Sequence, residues 1–379
     1  AHAEARHYCS PYNTPSMTKR DPVDARSDGS VDLYDISTWE PRTRADRLSA
    51  WLYSAGVTVA RAIFILVALL IILAQVVLGG IGATVANRPA AVWLVALSVI
   101  PALALVWYVY RADVTEREPL GLLVGTFVLG VLFAGFAAII NSLLQPTFQL
   151  LSIVGTVLFF YLVVGPVEET VKWLAVRLLP YRYDSFGAVV DGAVYGATAG
   201  LGFATIENAL YITRELGTSP TGAGNTALLG AVGVGAVGLA QLGGLDVLGN
   251  VIGTGGQITA FRALAGPGHV IYSAFSGYYL GLAKFNPDSA GPIVVKGLLI
   301  AAFVHATYNT LVGIVPGAAS FFLGVPPLVA FLAFVVLYDG TLGFFLYRKL
   351  KRYRTAYDEA HADEVDGATL PPERTEFDA

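Results

Sequence analysis

Cysteine is almost absent from this 379-residue chain: Cys9 is the only one, which excludes a disulfide framework and any cysteine-based metal site or nucleophile. Met17 is the only methionine, and the reading places the native start there, with residues 1–16 as a preceding stretch outside the protein proper. Charge is the third scarcity. Only 14% of residues are charged while 55% are hydrophobic, against about 25% charged in a soluble domain. Such a chain needs a solvent other than water. The charges it does have collect at the ends, and no basic face suggests a nucleic-acid partner.

Glycine is plentiful, at 41 residues, as in transmembrane helices whose backbones approach closely. Apolar stretches long enough to cross a bilayer occur at about 57–79, 91–110, 119–141, 153–175, 186–212, 268–284, 292–314 and 325–347. The expected fold is therefore all-α, a polytopic helical bundle of about eight spans in the plasma membrane, the first span serving as its own insertion signal. Three regions follow: a polar, poorly ordered tail over 1–50, a membrane domain over 51–347, and a basic then acidic tail over 348–379. The Gly-rich stretch 217–266 lacks a clean apolar core and is read as an outer loop or a re-entrant element. With eight crossings and a cytoplasmic N-terminus, Arg42, Arg44, Arg47, Arg111, Arg117, Arg177, Arg182, Lys284 and the run Arg348–Arg354 all lie inside. Only Arg88, Arg214 and Arg262 flank the outer side, so both termini are expected in the cytoplasm.

The fifth span carries Ala188, Gly192, Gly196, Gly200 and Ala204 at every fourth position, a stripe that predicts tight contact with another helix. Asp191, Tyr195, Ala199, Phe203 and Glu207 form the neighbouring row, which places polar groups beside a helix–helix contact.

Ionisable residues inside spans are few, and a charge at mid-bilayer costs roughly 2.5–3.5 kcal/mol on insertion scales, so each needs a reason. The fourth span reads Gly165-Pro166-Val167-Glu168-Glu169-Thr170-Val171-Lys172. Two adjacent carboxylates cannot both stay ionised cheaply in low dielectric. Lys172, at i+4 from Glu168 and i+3 from Glu169, neutralises one and leaves the other as a general base. The plainer alternative is a structural Glu–Lys pair at a helix end. Glu207-Asn208 closes the fifth span, His269 follows Gly266-Pro267-Gly268 at the start of the sixth, and His305 and Asn309 share a face of the seventh. Each alone has a structural reading as an interfacial or helix–helix polar contact. Together they supply a base, metal ligands and an oxyanion donor, the inventory for hydrolysing an amide. Asp191 and Asp339 are taken as structural. On straight helices the depths disagree, with His269 and Glu207 near the outer surface and Glu168 about 22 Å in.

These motifs resemble the PrsW family of intramembrane proteases, relatives of the CAAX-processing and bacteriocin-immunity membrane proteases. The resemblance is carried over about 110–315 by Glu168-Glu169-x-x-Lys172, Asp191-Gly-Ala-Val-Tyr-Gly196 with Gly202-Phe203-x-x-x-Glu207-Asn208, Gly268-His269 with Gly277-Tyr278-Tyr279, and His305-x-x-x-Asn309. It implies an intramembrane endopeptidase with Glu168, Glu169, Glu207, His269, His305 and Asn309 in its site, Glu168 and Glu169 being the catalytic pair and Asn309 the oxyanion donor. It also implies a membrane-anchored substrate of the anti-sigma-factor kind. Two versions stay open: Zn²⁺ held by Glu207, His269 and His305 with Glu168 or Glu169 activating water, or a metal-free site in which a glutamate and a histidine activate water directly. The competing functions are an ion- or proton-coupled transporter and a non-catalytic, immunity-type membrane partner.

Overall fold

The structure, a computed structural model, describes residues 21–53, 89–115, 117–218 and 248–367. The expected span at 57–79, the proposed start at Met17, most of the Gly-rich stretch and the acidic end beyond 367 lie outside the described residues. A short helix α1 (Pro22–Arg26) opens the chain. It is followed by α2 (Pro89–Ser98), α3 (Ile100–Ala112), α4 (Leu120–Gln149), α5 (Ser152–Phe159), α6 (Gly165–Leu178), α7 (Val189–Thr218), α8 (Leu248–Phe285), α9 (Ala290–Leu323) and α10 (Pro327–Gly367). A π-helical turn, Phe160–Val164, joins α5 to α6, so the two form one crossing.

Five helices are long and apolar enough to cross a membrane, or six if α2 and α3, bent by 43° at their junction, count as one. The expected count of eight is not reached among the described residues, because the span at 57–79 lies outside them and α8 is not one of the five. Its local cause is plain in the sequence: Gln257, Arg262 and His269 interrupt the apolar run. The protein is an all-α, multi-pass membrane protein.

The most enclosed crossing is α7. Its apolar stretch is 89% buried, against 28% in α9 and α10. Its small-residue stripe does what the spacing predicts, with α8 as the partner. A side chain at Gly192, Gly196 or Gly200 would run into the backbone of Gly277, Ser273 or His269, so α7 and α8 pack almost backbone to backbone. On the opposite side Gly202 lies against the Phe127 carbonyl of α4. Lipid-facing leucines and aromatics, among them Leu143, Ile153, Leu162, Phe303 and Leu337, form the exposed apolar exterior.

The tail expected over 1–50 is not a tail from residue 21 onward. Val23, Leu33, Ile36 and Trp39 are buried in the main core. Asp21 accepts from the backbone N–H of Val23 and Val189 and from the Tyr353 hydroxyl, tying α1 to the first turn of α7 and to α10. Asp35 takes the ammonium groups of Lys296 and Lys349 at 3.0 and 2.7 Å, and Asp46 takes Lys296 at 2.7 Å. Four apolar side chains spread among polar ones are too sparse to show as a hydrophobic run, which is why composition hides this segment. The basic start of the C-terminal tail is likewise helical, as the end of α10.

Candidate active site

Each helix brings its polar residues to one level. His269 lies sixteen residues from the end of α8 at Phe285, His305 fifteen from the start of α9 at Ala290, and Glu207 eighteen from the start of α7 at Val189. At about 1.5 Å per residue these are depths of roughly 24, 22 and 27 Å from the same end of the bundle. The mismatch of depths expected from sequence therefore disappears. Its source was the placement of helix ends: α7 runs on to Thr218 and α8 begins at Leu248, so Glu207 and His269 are mid-helix residues.

Close approach does the rest. Gly165 lies on the Ala302 carbonyl of α9, which brings the start of α6 and its carboxylates against His305. Glu169 is fully buried and fully engaged. Its Oε1 accepts from Lys172 Nζ at 2.6 Å and His305 Nδ1 at 2.8 Å, and Ser273 Oγ reaches its Oε2 at 3.4 Å. Lys172 also donates to Nδ1 of His269 at 3.0 Å and sits over the Phe203 ring. An ammonium has donors only, so His269 accepts at Nδ1, and its Nε2–H goes to Glu207 Oε2 at 2.7 Å. For His305, the N–H on Nδ1 goes to Glu169, leaving the Nε2 lone pair facing Glu168 Oε2 at 3.6 Å. Glu168 accepts from Asn141 Nδ2 at 3.0 Å through Oε1, while its buried Oε2 has no hydrogen-bond partner. The two imidazoles meet edge to face with centroids 5.1 Å apart.

Of the expected site residues, five converge: Glu168, Glu169, Glu207, His269 and His305. Asn309, half-buried one turn beyond His305, makes no side-chain hydrogen bond among the described residues. The Glu–Lys neutralisation expected from spacing selects Glu169 and leaves Glu168. Ligand atoms of Glu168, His269 and His305 lie within 4.8 Å of one another, whereas Glu207 is drawn to Arg262 at 2.6 Å. Arg262 also donates to Asn208 Oδ1 at 2.8 Å. Read from sequence as an outer-flank residue, Arg262 is buried one and a half to two turns before His269. An arginine inside a crossing region was the available signal, obscured because the segment read as a loop. Asn141, isolated after Ile139-Ile140, was a similar signal.

Residues 118–340 match the family described as PrsW family intramembrane metalloprotease. This chain belongs to the PrsW family. It is 27% identical to Protease PrsW of Geobacillus kaustophilus over 58% of this chain and 79% of that protein. The figure is again 27% for Protease PrsW of Bacillus subtilis, covering 57% and 81%, and for that of Oceanobacillus iheyensis, covering 65% and 93%. No solved structure matches. This PrsW family member is thus an intramembrane endopeptidase acting on protein substrates in the bilayer, and the converging polar residues all lie within the matched region.

The family name implies a metal. The side chains fit one: two imidazoles and a carboxylate are a common catalytic Zn²⁺ donor set, and Glu168 Oε2 and His305 Nε2 are uncommitted and face each other. Three carboxylates against Lys172 and Arg262, with neutral histidines, leave one net negative charge for a cation to balance.

Proposed function

We propose that this protein hydrolyses a peptide bond of a membrane-anchored protein with the help of a Zn²⁺-type dication held by Glu168, His269 and His305. The observation that carries this reading is the buried, unpartnered Glu168 Oε2 facing a histidine lone pair. When bound, such a metal polarises the scissile carbonyl and lowers the pKa of water. The expected ligand set placed Glu207 where the geometry favours Glu168. Glu207 is better suited to another role, being the carboxylate with the most accessible side chain in the group, at 21%.

Glu169 fixes His305 through Nδ1, the carboxylate–histidine support common behind metal ligands. Lys172 neutralises Glu169 and holds His269 by Nδ1, which presents Nε2 to the metal. Glu207, freed from the Nε2 proton by that exchange and oriented by Arg262, takes a proton from the attacking water and returns it to the leaving amine. Asn309 has an uncommitted amide one turn from His305, suited to donate to the oxyanion. The half-site Arg262–Asn208 holds α8 to α7 at this level.

The substrate is proposed to be a single-span protein of the anti-sigma-factor kind, cut on its extracytoplasmic side, with both termini of the protease in the cytoplasm of the cell. The positive charge at the terminus-bearing end supports this orientation. The test is metal analysis of the purified full-length protein beside a His269→Ala/His305→Ala variant, with processing of a membrane-anchored reporter followed in the same strains. Loss of both metal and processing is expected. Equal metal stoichiometry in a folded variant would overturn the metal assignment, and continued processing would overturn the site.

A further inference from the structure

A second acidic cluster lies at the terminus-bearing end of the bundle, away from the protease site. Asp113 follows α3, Glu118 precedes α4, and Asp191 belongs to the first turn of α7. One oxygen from each lies within 4.8 Å of the others. Two of the three are already fixed in place. Asp191 Oδ2 accepts from the backbone N–H of Gly187 and Ala188 at 2.7 and 3.0 Å. Asp113 Oδ1 accepts from Thr115 N and Oγ1, and the same hydroxyl lies 3.2 Å from Asp191 Oδ1.

Glu118 makes this more than a solvated acidic patch. The residue is 4% exposed, and neither carboxylate oxygen has a hydrogen-bond partner; the buried Asp113 Oδ2 also lacks one. A buried carboxylate without a donor is expensive, and natural proteins rarely leave one so. No Lys, Arg or His nitrogen among the described residues lies within 4.0 Å of the three carboxylates in an ion pair. The Lys284 ammonium acts on Glu118 through space and is held by the Tyr181 and Tyr183 carbonyls at 2.9 and 3.2 Å. The Tyr195 hydroxyl lies beside Glu118 and acts on its carboxylate, outside ordinary hydrogen-bond geometry, and it is the one neutral donor at hand among the described residues. Asp113 and Thr115 line a cavity of about 440 Å³ whose wall also holds Arg111 and Arg117. Arg111 is drawn over the Trp107 ring at 4.5 Å.

We propose that Asp113, Glu118 and Asp191 form a binding site for a hard divalent cation, Mg²⁺ or Ca²⁺, that fastens the α3–α4 connection to the start of α7. The donor set is all oxygen, from three carboxyl groups that a bound cation would hold ionised, which favours these ions over the nitrogen-preferring metal of the protease site. The ion would give Glu118 the partner it lacks. Burial, followed by the Asp191 and Asp113 carboxylates, pushes the Glu118 carboxyl up to about 9, in keeping with an uncompensated negative cluster.

The test uses Mn²⁺ as the probe, by EPR titration of the full-length detergent-solubilised protein carrying His269→Ala and His305→Ala, so that the protease site does not contribute. One Mn²⁺ is expected to bind and to be displaced by Mg²⁺ or by Ca²⁺, whichever competes at lower concentration identifying the preferred ion. Adding Glu118→Gln is expected to weaken binding by about tenfold or more, since affinity of such sites follows ligand charge. If Glu118→Gln fails to fold, Asp113→Asn on the half-buried connection serves the same purpose, with elution as a single species as the control. Unchanged Mn²⁺ affinity in a folded variant overturns the proposal. So does the absence of binding together with an infrared protonated-carboxyl band that Glu118→Gln removes, which would make Glu118 a neutral acid.

Discussion

Two buried ionic networks share helix α9. At the terminus-bearing end, Asp35 and Asp46 from the N-terminal segment meet Lys296 of α9 and Lys349 of α10. About 14 Å deeper by the rise of α9 from Lys296 to His305, Glu168, Glu169 and Glu207 meet Lys172, Arg262 and two histidines. The first network is balanced, two carboxylates against two ammoniums, with Tyr278 and Tyr279 adding hydroxyls around Asp35. The second keeps an unpaired carboxylate oxygen opposite an unpaired histidine nitrogen. Burying charge in a bundle is thus compatible with either a latch or a reaction centre. What separates them is whether compensation is complete, because a satisfied network has no lone pair left to offer.

The largest effect should come from removing the uncompensated group. Glu168→Gln keeps size and the Asn141 contact, so the protein should elute and insert normally while reporter processing falls by more than about a hundredfold. Processing near the normal rate would mean that the unpaired oxygen is incidental and that incomplete compensation does not set the two networks apart. Arg262→Met comes next. It removes the donor shared by Glu207 and Asn208, and supporting residues of this kind are worth about 10–100-fold in metal affinity or activity. Metal content should fall less than turnover. A variant that instead unfolds, with turnover per folded molecule intact, would make Arg262 part of a latch.

The balanced network should respond in stability alone. Asp35→Asn strands Lys349 and leaves Lys296 with Asp46 alone, and because the Asp35 side chain is one-fifth exposed the loss should be about 1–2 kcal/mol, below the 3–5 of a fully buried pair. Metal content and turnover per folded molecule should not change. Burial opposes ionisation of Asp35, but Lys349 and Lys296 outweigh it and hold its carboxyl below the usual range. A depressed carboxyl stabilises the fold above its unfolded value and loses that contribution as pH falls. The gap between the normal protein and Asp35→Asn should therefore close below about pH 4. The smallest effect is at Asp21, which burial pushes up to about 6 despite its three hydrogen bonds. Here the sign reverses: the favourable contribution is present below about pH 4 and declines as pH rises toward 6. Asp21→Asn should flatten unfolding midpoints across that window, and an unchanged slope would reject the assignment.

Fold class was readable because a bilayer imposes it: apolar runs of this length with few charges have one solution, the helix. The stripe on α7 announced a tight contact without naming its partner. Motif residues were readable because charges inside apolar runs are conspicuous, and the Glu168-Glu169-x-x-Lys172 spacing fixed that a lysine would neutralise one glutamate. Which glutamate depended on Gly165 meeting Ala302, a contact between helices more than a hundred residues apart in sequence. The position of His269 depended on where α8 begins, twenty-one residues upstream in a stretch whose Gly-rich composition mimics a loop. Arg262 and Asn141 were hidden for the same reason: each is one polar residue whose meaning comes from a partner on another helix. Local pattern and solvent determine helices one at a time, so the sequence by itself decided that this is a helical membrane protein with a polar inventory for hydrolysis. Which groups are satisfied and which left unpaired is a property of helices packed together, and only the tertiary structure decided that.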